Sequence, residues 1–239
     1  MTLNGQRIIV LGGTSGIGLA VAKAAAAQGA SLVVASSRKT SVDRALGALP
    51  PTSEGHAVDL AAEDAIKVFF DGVGAFDHLV FTAGENMQLA ALADQRLDAA
   101  RQFFQIRFWG AYAAVRYATP NIRAGGSIVL TTGVASLRPR SGWTVPASIC
   151  GAMDALTRAL AVELAPIRVN AVSPGVVRTP LWGKMSPGDR EALYRDVGAV
   201  LPVGRVGEPE DIAGAYLYLM CGRFGTGQIA VVDGGTVLV

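Results

Sequence analysis

The sequence is poor in the residues on which several classes of protein depend. It has two cysteines, Cys150 and Cys221, and neither lies in a CxxC motif or a Cys/His cluster. A disulfide framework or a zinc site is therefore not expected, and a reducing cytoplasm is the expected compartment. Charged residues make up 17% of the chain and the net charge is +2. This charge is too small to indicate a nucleic acid or an anionic membrane as a partner.

Long apolar runs are absent as well. No run approaches the roughly 18 to 20 residues that a membrane-spanning helix needs. The first seven residues contain no basic segment leading into a long apolar stretch, so no signal peptide is predicted. Hydrophobic residues nevertheless make up 51% of the 239 residues, which is ample material for a large core.

Short β-like runs alternate along the chain with helix-length runs rich in alanine. Strands are predicted at residues 7–11, 31–36, 56–58, 77–81, 127–131, 167–172 and 229–232, and helices at residues 17–28, 61–72, 97–119, 149–164 and 210–220. Most of these strands are apolar without alternation, which is typical of parallel strands buried on both faces. The pattern predicts one α/β domain over residues 1–239. Its sheet would be doubly wound and mostly parallel, with about seven strands and helices on both faces.

A glycine-rich turn follows the first predicted strand and leads directly into the first helix. Its residues are Gly12, Gly13, Thr14, Ser15, Gly16, Ile17 and Gly18. Glycines remove the Cβ atoms that would keep a pyrophosphate away, and a helix N-terminus offers unpaired N–H groups. Taken alone, the motif fits an ordinary glycine-rich loop equally well. Its position in the first βαβ unit favours dinucleotide binding, and with it a Rossmann fold.

The residues after the second strand indicate which dinucleotide is bound. In this fold a carboxylate there accepts a hydrogen bond from the ribose 2′-hydroxyl, whereas basic and hydroxyl groups favour a 2′-phosphate. The sequence has Ser37, Arg38 and Lys39, and no acidic residue before Asp43. Arg38 can form a bidentate fork with phosphate. A solvated loop with two incidental cations is the alternative, and we favour NADP(H) as the cofactor.

Further segments resemble the short-chain dehydrogenase/reductase family over essentially the whole chain. Asp59-Leu60 stands where the family's Asp bonds the adenine, and residues 81–84 (Phe-Thr-Ala-Gly) stand where the family usually has Asn-Asn-Ala-Gly. Residues 168–179 resemble the strand and loop beside the nicotinamide, and residues 202–212 and 226–235 resemble the C-terminal signature. With the turn and the second strand end, the resemblance implies one set of cofactor-binding residues. They are Gly12, Thr14, Ser15, Gly16, Ile17, Gly18, Ser37, Arg38, Lys39, Asp59, Leu60, Thr82, Ala83, Gly84, Pro174, Gly175, Val177 and Thr179.

The catalytic positions of the family do not match. The family uses a Ser to hold the substrate oxygen, a Tyr to transfer its proton, a Lys four residues later, and an Asn on the preceding helix. In this sequence those positions fall on Gly133, Pro146, Cys150 and Arg107 respectively. None of the five tyrosines has a Lys four residues later. The usual proton relay is therefore predicted to be absent, and the catalytic residues are left unassigned.

The roles of two of these replacements, Cys150 and Arg107, can be considered from the sequence. Cys150 is predicted to be a packed, inert thiol, because neither histidine falls near it. Arg107 can bind an anion or stabilise negative charge, or it can pair with an acidic residue. No Asp or Glu occurs between Asp98 and Asp154, while Arg138 and Arg140 are expected to border the cleft. Two alternatives therefore remain for Arg107. Either it binds an anionic ligand in an electropositive pocket, or it has a structural role in an ion pair.

Two functions follow from these observations. The first, which we favour, is an NADP(H)-dependent oxidoreductase with an atypical active site, acting on a small-molecule substrate. The second is a non-catalytic NADP(H)-binding module, such as a redox sensor or an inert partner in an oligomer. The family resemblance implies a homodimer or homotetramer, and no metal is predicted. Residues 181–200 are typical of a variable flap over the cleft and name no substrate.

Overall fold

The computed structural model describes residues 2–87 and 89–239, and its core is one sheet of seven strands. All strand pairs are parallel, in the order β3-β2-β1-β4-β5-β6-β7. The strands are β1 Arg7–Leu11, β2 Ser31–Ser36, β3 Glu54–Ala57, β4 Phe76–Phe81, β5 Ile122–Thr131, β6 Arg168–Pro174 and β7 Ile229–Val232. The predicted fold class is confirmed, and the sheet is wholly rather than mostly parallel.

Eight α-helices connect and cover the strands in the described residues. They are α1 Gly16–Ala27, α2 Lys39–Leu46, α3 Glu63–Val73, α4 Leu97–Phe104, α5 Ala111–Ala118, α6 Thr144–Glu163, α7 Pro187–Val200 and α8 Pro209–Cys221. Helices α3, α5 and α6 pack in the hydrophobic cluster on one face of the sheet. Helices α1 and α8 pack in the cluster on the other face. Helices therefore lie on both faces, as predicted.

Strand β1 shows why the central strands are apolar without alternation. Its residues Ile9 and Leu11 belong to one core cluster, and Ile8 and Val10 belong to the other. All four are fully buried. Successive side chains of a strand point to opposite faces, so a strand covered on both faces needs apolar residues at every position.

The structure corrects the predicted elements at four places. The short helix α2 was not predicted, and β5 begins at Ile122 rather than at residue 127. The helix predicted over residues 97–119 is interrupted by a π-helical turn at Gln105–Gly110. Helix α6 begins at Thr144 rather than at residue 149, so Pro146 lies in its first turn. A proline is tolerated there because the first N–H groups of a helix have no partner within the helix.

Helix α6 is, among the described residues, the one helix long and apolar enough to cross a membrane by length and composition. Its buried residues, which include Met153, Leu156 and Leu160, pack in the core cluster against the sheet. The core helix of a globular domain passes the same test of length and composition. The packing of α6 agrees with that role.

A buried histidine joins the strands at the centre of the sheet. His78 on β4 is 2% exposed, and its Nδ1 lies 2.8 Å from the hydroxyl of Ser127 on β5. Its Nε2 lies 3.0 Å from the Gln6 side chain, next to β1. Burial lowers the pKa of His78 to about 4, with the charge of Arg168 as the next cause. The imidazole is therefore neutral in the folded protein at neutral pH.

We predict that His78 makes the protein acid-sensitive. Below the ordinary pKa of 6.5 the unfolded chain binds a proton that the folded protein refuses down to about pH 4. Stability is lost over that interval as the pH falls, by about 3 kcal/mol in total for this shift. In His78→Gln the free energy of unfolding, measured with urea, should fall correspondingly less over the same interval. Equal slopes in the wild type and in His78→Gln would contradict the prediction.

Candidate functional site

A cavity of about 410 Å³ lies where the parallel strands end. The segments after β1, β2, β4, β5 and β6 all contribute to its walls, together with α6 and the region 176–197. In a parallel sheet the carboxyl ends of all strands meet at one edge, which is where ligands of such folds bind. This cavity is thus at the position that the strand order favours.

Most of the predicted cofactor residues line this cavity. They are Gly12, Thr14, Ser15, Gly16, Ile17, Ser37, Arg38, Leu60, Thr82, Ala83, Gly84, Pro174, Gly175, Val177 and Thr179. Three others, Gly18, Lys39 and Asp59, do not line it. Segments that are distant in sequence are therefore brought together around one cavity.

The glycine turn is packed closely against the segment after β4. Gly12 has a φ of +84°, and a Cβ on it would lie 2.6 Å from the backbone nitrogen of Ala83. A Cβ on Gly18 would collide with the Gly12 carbonyl and the Thr82 hydroxyl, so Gly18 serves packing rather than ligand contact. Helix α1 begins at Gly16, and the hydroxyl of Ser15 caps none of its N–H groups. These donors fit a diphosphate.

The segment after β2 differs from expectation at Lys39. Ser37 and Arg38 line the cavity, but Lys39 begins α2 and its Nζ lies 2.8 Å from Asp43. The two side chains are one helical turn apart and therefore meet on the same face. Lys39 is accordingly placed outside the cavity, with a counter-charge of its own.

Asp59, which is expected to bond the adenine, does not itself line the cavity. Its Oδ1 accepts a hydrogen bond of 2.9 Å from the Ala61 backbone N–H, and the residue is exposed. Its neighbours Val58 and Leu60 line the cavity instead. Asp59 therefore shapes the turn before α3 in this structure.

The four positions predicted to replace the family's catalytic residues all line the same cavity. They are Arg107, Gly133, Pro146 and Cys150. A Cβ on Gly133 would lie 3.1 Å from the Cys150 Sγ, so these two positions face each other. The structure therefore brings these four positions together around one cavity.

The lining of the cavity contains no Asp, Glu, Lys, His or Tyr among the described residues. Its ionisable side chains are Arg38, Arg107, Arg138, Arg140 and Cys150. A guanidinium stays charged at neutral pH and is not a general acid. The cavity is thus electropositive and has no side chain suited to donate a proton, except the thiol of Cys150.

Cys150 is a poor acid and a poor nucleophile in this environment. Burial raises the pKa of its thiol to about 11, and the nearby carboxylate of Asp154 acts in the same direction. The hydroxyl of Thr132 opposes this rise weakly. Since the thiolate is the reactive form, a high pKa makes the residue inert at neutral pH. The predicted packed thiol agrees with this environment.

Arg107 has an acidic partner, which corrects the expectation that it lacks a local counter-charge. The partner is Glu85, which follows Gly84 at the end of β4, with 3.7 Å between Arg107 Nε and Glu85 Oε2. Arg107 Nη2 also donates to the Glu85 carbonyl. Burial raises the pKa of Glu85, against the opposing effects of backbone N–H groups and of Arg107. Sequence spacing carried no signal of this pair, because its members are far apart along the chain.

Two other arginines of the lining have no acidic partner. Neither Arg138 nor Arg140 forms an ion pair with any residue in ranges 2–87 and 89–239. Both lie in the exposed segment between β5 and α6. These two arginines do not by themselves identify a ligand. They place two further positive charges at the border of the cavity.

One buried tyrosine contacts a residue of the cavity lining. Tyr216 on α8 is fully buried, and its hydroxyl lies 2.6 Å from that of Thr131, which lines the cavity. Burial raises the pKa of Tyr216 well above its usual value. Tyr216 therefore does not replace the family's acidic tyrosine.

Comparison with known proteins agrees with this arrangement. The family described as Enoyl-(Acyl carrier protein) reductase matches residues 12–237. The short-chain dehydrogenase/reductase ATR9 of Stachybotrys chlorohalonatus is 42% identical over 99% of both chains. The chain belongs to the short-chain dehydrogenase/reductase family. Membership covers essentially the whole chain and agrees with the observed fold.

Solved structures of the family superimpose closely on this chain. A small-chain dehydrogenase in complex with NADPH has a TM-score of 0.88 at 38% identity, with 98% of this chain and 99% of that chain covered. The MalC reductase/Diels-Alderase from Malbranchea aurantiaca has a TM-score of 0.91 at 30% identity, with 99% and 98% covered. The fold of this chain is thus shared with these members of the family.

We predict that Cys150 reacts slowly with a maleimide at mildly alkaline pH. A thiol whose pKa is raised from 9.0 to about 11 holds roughly 100-fold less thiolate. The rate should be measured by mass spectrometry in Cys221→Ser, so that one thiol remains. The same protein unfolded in urea is the control and should react at least about 10-fold faster. Equal rates before and after unfolding would show that the thiol is neither buried nor perturbed.

Proposed function

We propose that this protein is an NADP(H)-dependent oxidoreductase whose active site works without the family's proton relay. Residues 1–239 would form one cofactor-binding domain. The observation that carries the proposal is the composition of the described cavity lining. Its cofactor half is present, and its other half holds Arg107, Arg138 and Arg140 and no acidic residue. Family membership supports hydride-transfer chemistry, and the lining supports a substrate other than a simple ketone.

The residues present fit NADP(H). The N-terminus of α1 and the glycine turn would hold the diphosphate. Ser37 and Arg38 would hold the 2′-phosphate, aided by the N-terminus of α2, which begins directly after Arg38. Thr82 to Gly84 and Pro174 to Thr179 would flank the nicotinamide side. When bound, NADPH supplies a hydride; a relative solved with NADPH supports this assignment.

The rest of the cavity fits a small molecule with an extended apolar part. Its walls include Met87, Trp143, Leu181, Trp182 and Leu193. The ring centroids of Trp143 and Trp182 lie 6.3 Å apart, and the ring planes are inclined to each other by 55°. Arg138 and Arg140 at the border of the cavity would favour a substrate with an anionic substituent. An anionic substrate is therefore part of the proposal.

A non-catalytic NADP(H)-binding module is the second candidate. The absence of an acid from the described lining favours it as much as it favours unusual chemistry. The two candidates differ in one measurable property, which is the consumption of NADPH. A cytoplasmic homodimer or homotetramer also belongs to the proposal, and the exposed Trp109 and Tyr112 near α5 support a subunit contact.

We predict that the protein prefers NADPH to NADH. NADPH should bind at least about 10-fold more tightly than NADH, because a charge-assisted contact to Arg38 contributes about 1.5 to 3 kcal/mol. Fluorescence titration of both cofactors measures this ratio. Arg38→Ala should abolish the preference, whereas Arg44→Ala, on the exposed face of α2 and outside the cavity, should retain it. Equal affinities for the two cofactors in the wild type would remove the 2′-phosphate assignment.

We predict that simple ketones are turned over slowly. Simple ketones should be reduced at least about 100-fold below the usual enzyme rate of about 10 per second, since general acid catalysis commonly contributes 10²- to 10⁴-fold. Oxidation of NADPH should be followed by its absorbance across ketones, imines and enones. Rapid reduction of simple ketones would contradict the unusual active site. Tight NADPH binding without oxidation by any class would favour the non-catalytic module.

A further inference from the structure

The flap, residues 181–200, forms one wall of the cavity and has a hydrophobic cluster of its own. Leu181, Trp182, Leu193 and Val197 line the cavity and also belong to this third cluster. In the part of the chain that the structure describes, α7 contributes no residue to either cluster on the sheet. A segment with a separate small cluster can open locally at a lower cost than global unfolding. The flap can therefore move while the sheet stays folded.

One arginine just before the flap contacts two side chains of α7. Arg178 Nη1 lies 2.9 Å from Glu191 Oε2. The guanidinium carbon of Arg178 lies 4.4 Å from the centroid of the Tyr194 ring. Residues 191 and 194 are three apart, so they lie on the same face of the helix. A single guanidinium thus holds this face of α7 through an ion pair and a cation–π contact.

The same arginine is fixed on its other side to the segment that begins α8. Its backbone N–H donates a hydrogen bond of 2.9 Å to the Gly207 carbonyl. Its Nε lies 3.5 Å from Glu208 Oε1. Glu208 is the N-cap of α8 and forms a capping box with Asp211, and α8 packs against the sheet. Arg178 therefore connects the flap to a helix of the core.

The two neighbours of Arg178 in sequence belong to the expected cofactor site. Val177 and Thr179 line the cavity, whereas Arg178 does not. A Cβ on Gly16 would lie 3.3 Å from the Thr179 side chain, so Thr179 packs against the glycine turn. The Thr179 hydroxyl also accepts a hydrogen bond of 3.3 Å from the N–H of Leu181, where the flap begins. The segment that carries Arg178 thus contacts both the expected diphosphate site and the flap.

We propose that Arg178 latches the flap against bound NADP(H), so that the breaking of its contacts with Glu191 and Tyr194 controls the release of the cofactor. Arg178 is then a positioning residue, because it acts through the flap. This inference rests on the proposed function, since it takes NADP(H) as the ligand of the cavity. It adds to that function a control over how long the cofactor stays bound.

The contacts of Arg178 are strong enough to favour the closed flap and weak enough to let it open. The side chains of Arg178 and Glu191 are 40% and 59% exposed, so solvent screens their attraction. One exposed ion pair contributes little, and an exposed cation–π contact contributes a similar amount. Together they favour the closed state by about threefold to tenfold. Salt should weaken this preference, because the ion pair is accessible to ions.

The rate of NADPH release tests the latch without turnover. The NADPH complex is mixed with excess NADP⁺ in a stopped-flow instrument, and the fluorescence of NADPH is followed as it leaves. We expect release to be about threefold to tenfold faster in Arg178→Gln and in Glu191→Gln, and intermediate in Arg178→Lys. The double variant should be no faster than the faster single variant, because both changes remove the same contact.

A matched control removes one positive charge from the flap itself. Lys184 is exposed and forms no ion pair with residues 2–87 and 89–239, so Lys184→Gln should release NADPH at the wild-type rate. The ratio of the rates of Arg178→Gln and wild type should fall towards one as salt rises from about 0.05 M to about 0.5 M. The ratio is used because salt also weakens the binding of the cofactor phosphates in both proteins.

Hydrogen exchange of the NADPH complex shows where the structure opens. Backbone amides of α7 should exchange about threefold to tenfold faster in Arg178→Gln, while amides of β1 and β4 keep their wild-type rates. Faster exchange in the strands as well would identify Arg178 as a general stabiliser and overturn the latch. If Arg178→Gln does not fold, Glu191→Gln, at an exposed position of α7, provides the same measurement.

The outcomes separate the two proposals. Equal release rates in the wild type and Arg178→Gln at low salt, or additive effects in the double variant, would overturn the latch. A wild-type protein that binds no NADPH would refute the proposed function and this inference with it. Tight NADPH binding with equal release rates would refute this inference alone.

Discussion

The common direction of all seven strands places every segment of the site at one edge of the sheet. Parallel strands require crossover helices. After each strand the chain runs back along a helix, so every strand begins at the same end of the sheet and finishes at the other. The turn after β1 then meets the segments after β4 and β6. A Cβ on Gly12 would lie 2.6 Å from Ala83, and one on Gly16 would lie 3.3 Å from the Thr179 side chain. These close contacts hold together segments that are distant in sequence.

Local pattern was sufficient for the elements that the core fully covers. Strands β1, β2 and β7 have the predicted bounds, because a short run of apolar residues between turn residues is typical of a buried strand. Helix α2 escaped prediction because its sequence, KTSVDRAL, is short and mostly polar. The π-helical turn was also unforeseen: Gly110 lies against the Leu60 carbonyl, and that tertiary contact leaves no mark in the local sequence.

The cavity was predictable where motif and topology coincide, and unpredictable where a single long-range pair decides the electrostatics. The absence of acidic residues from 99 to 153 suggested an unpaired Arg107, yet Glu85 reaches it from the end of β4. The pair accounts for how a guanidinium is accommodated where the family has a neutral Asn. A lone buried charge would be strongly destabilising, whereas a charge with a carboxylate and a carbonyl beside it is tolerated.

The contact between Gly133 and Cys150 makes these replacements interdependent. A side chain at 133 would bring its Cβ to 3.1 Å from the Cys150 sulfur, and a tyrosine at 146 would restore a backbone N–H in the first turn of α6, where no helical acceptor exists. A side chain at 133 therefore needs the sulfur of Cys150 to give way by a few tenths of an ångström. Which residues can be accommodated at one of these two positions depends on the residue at the other.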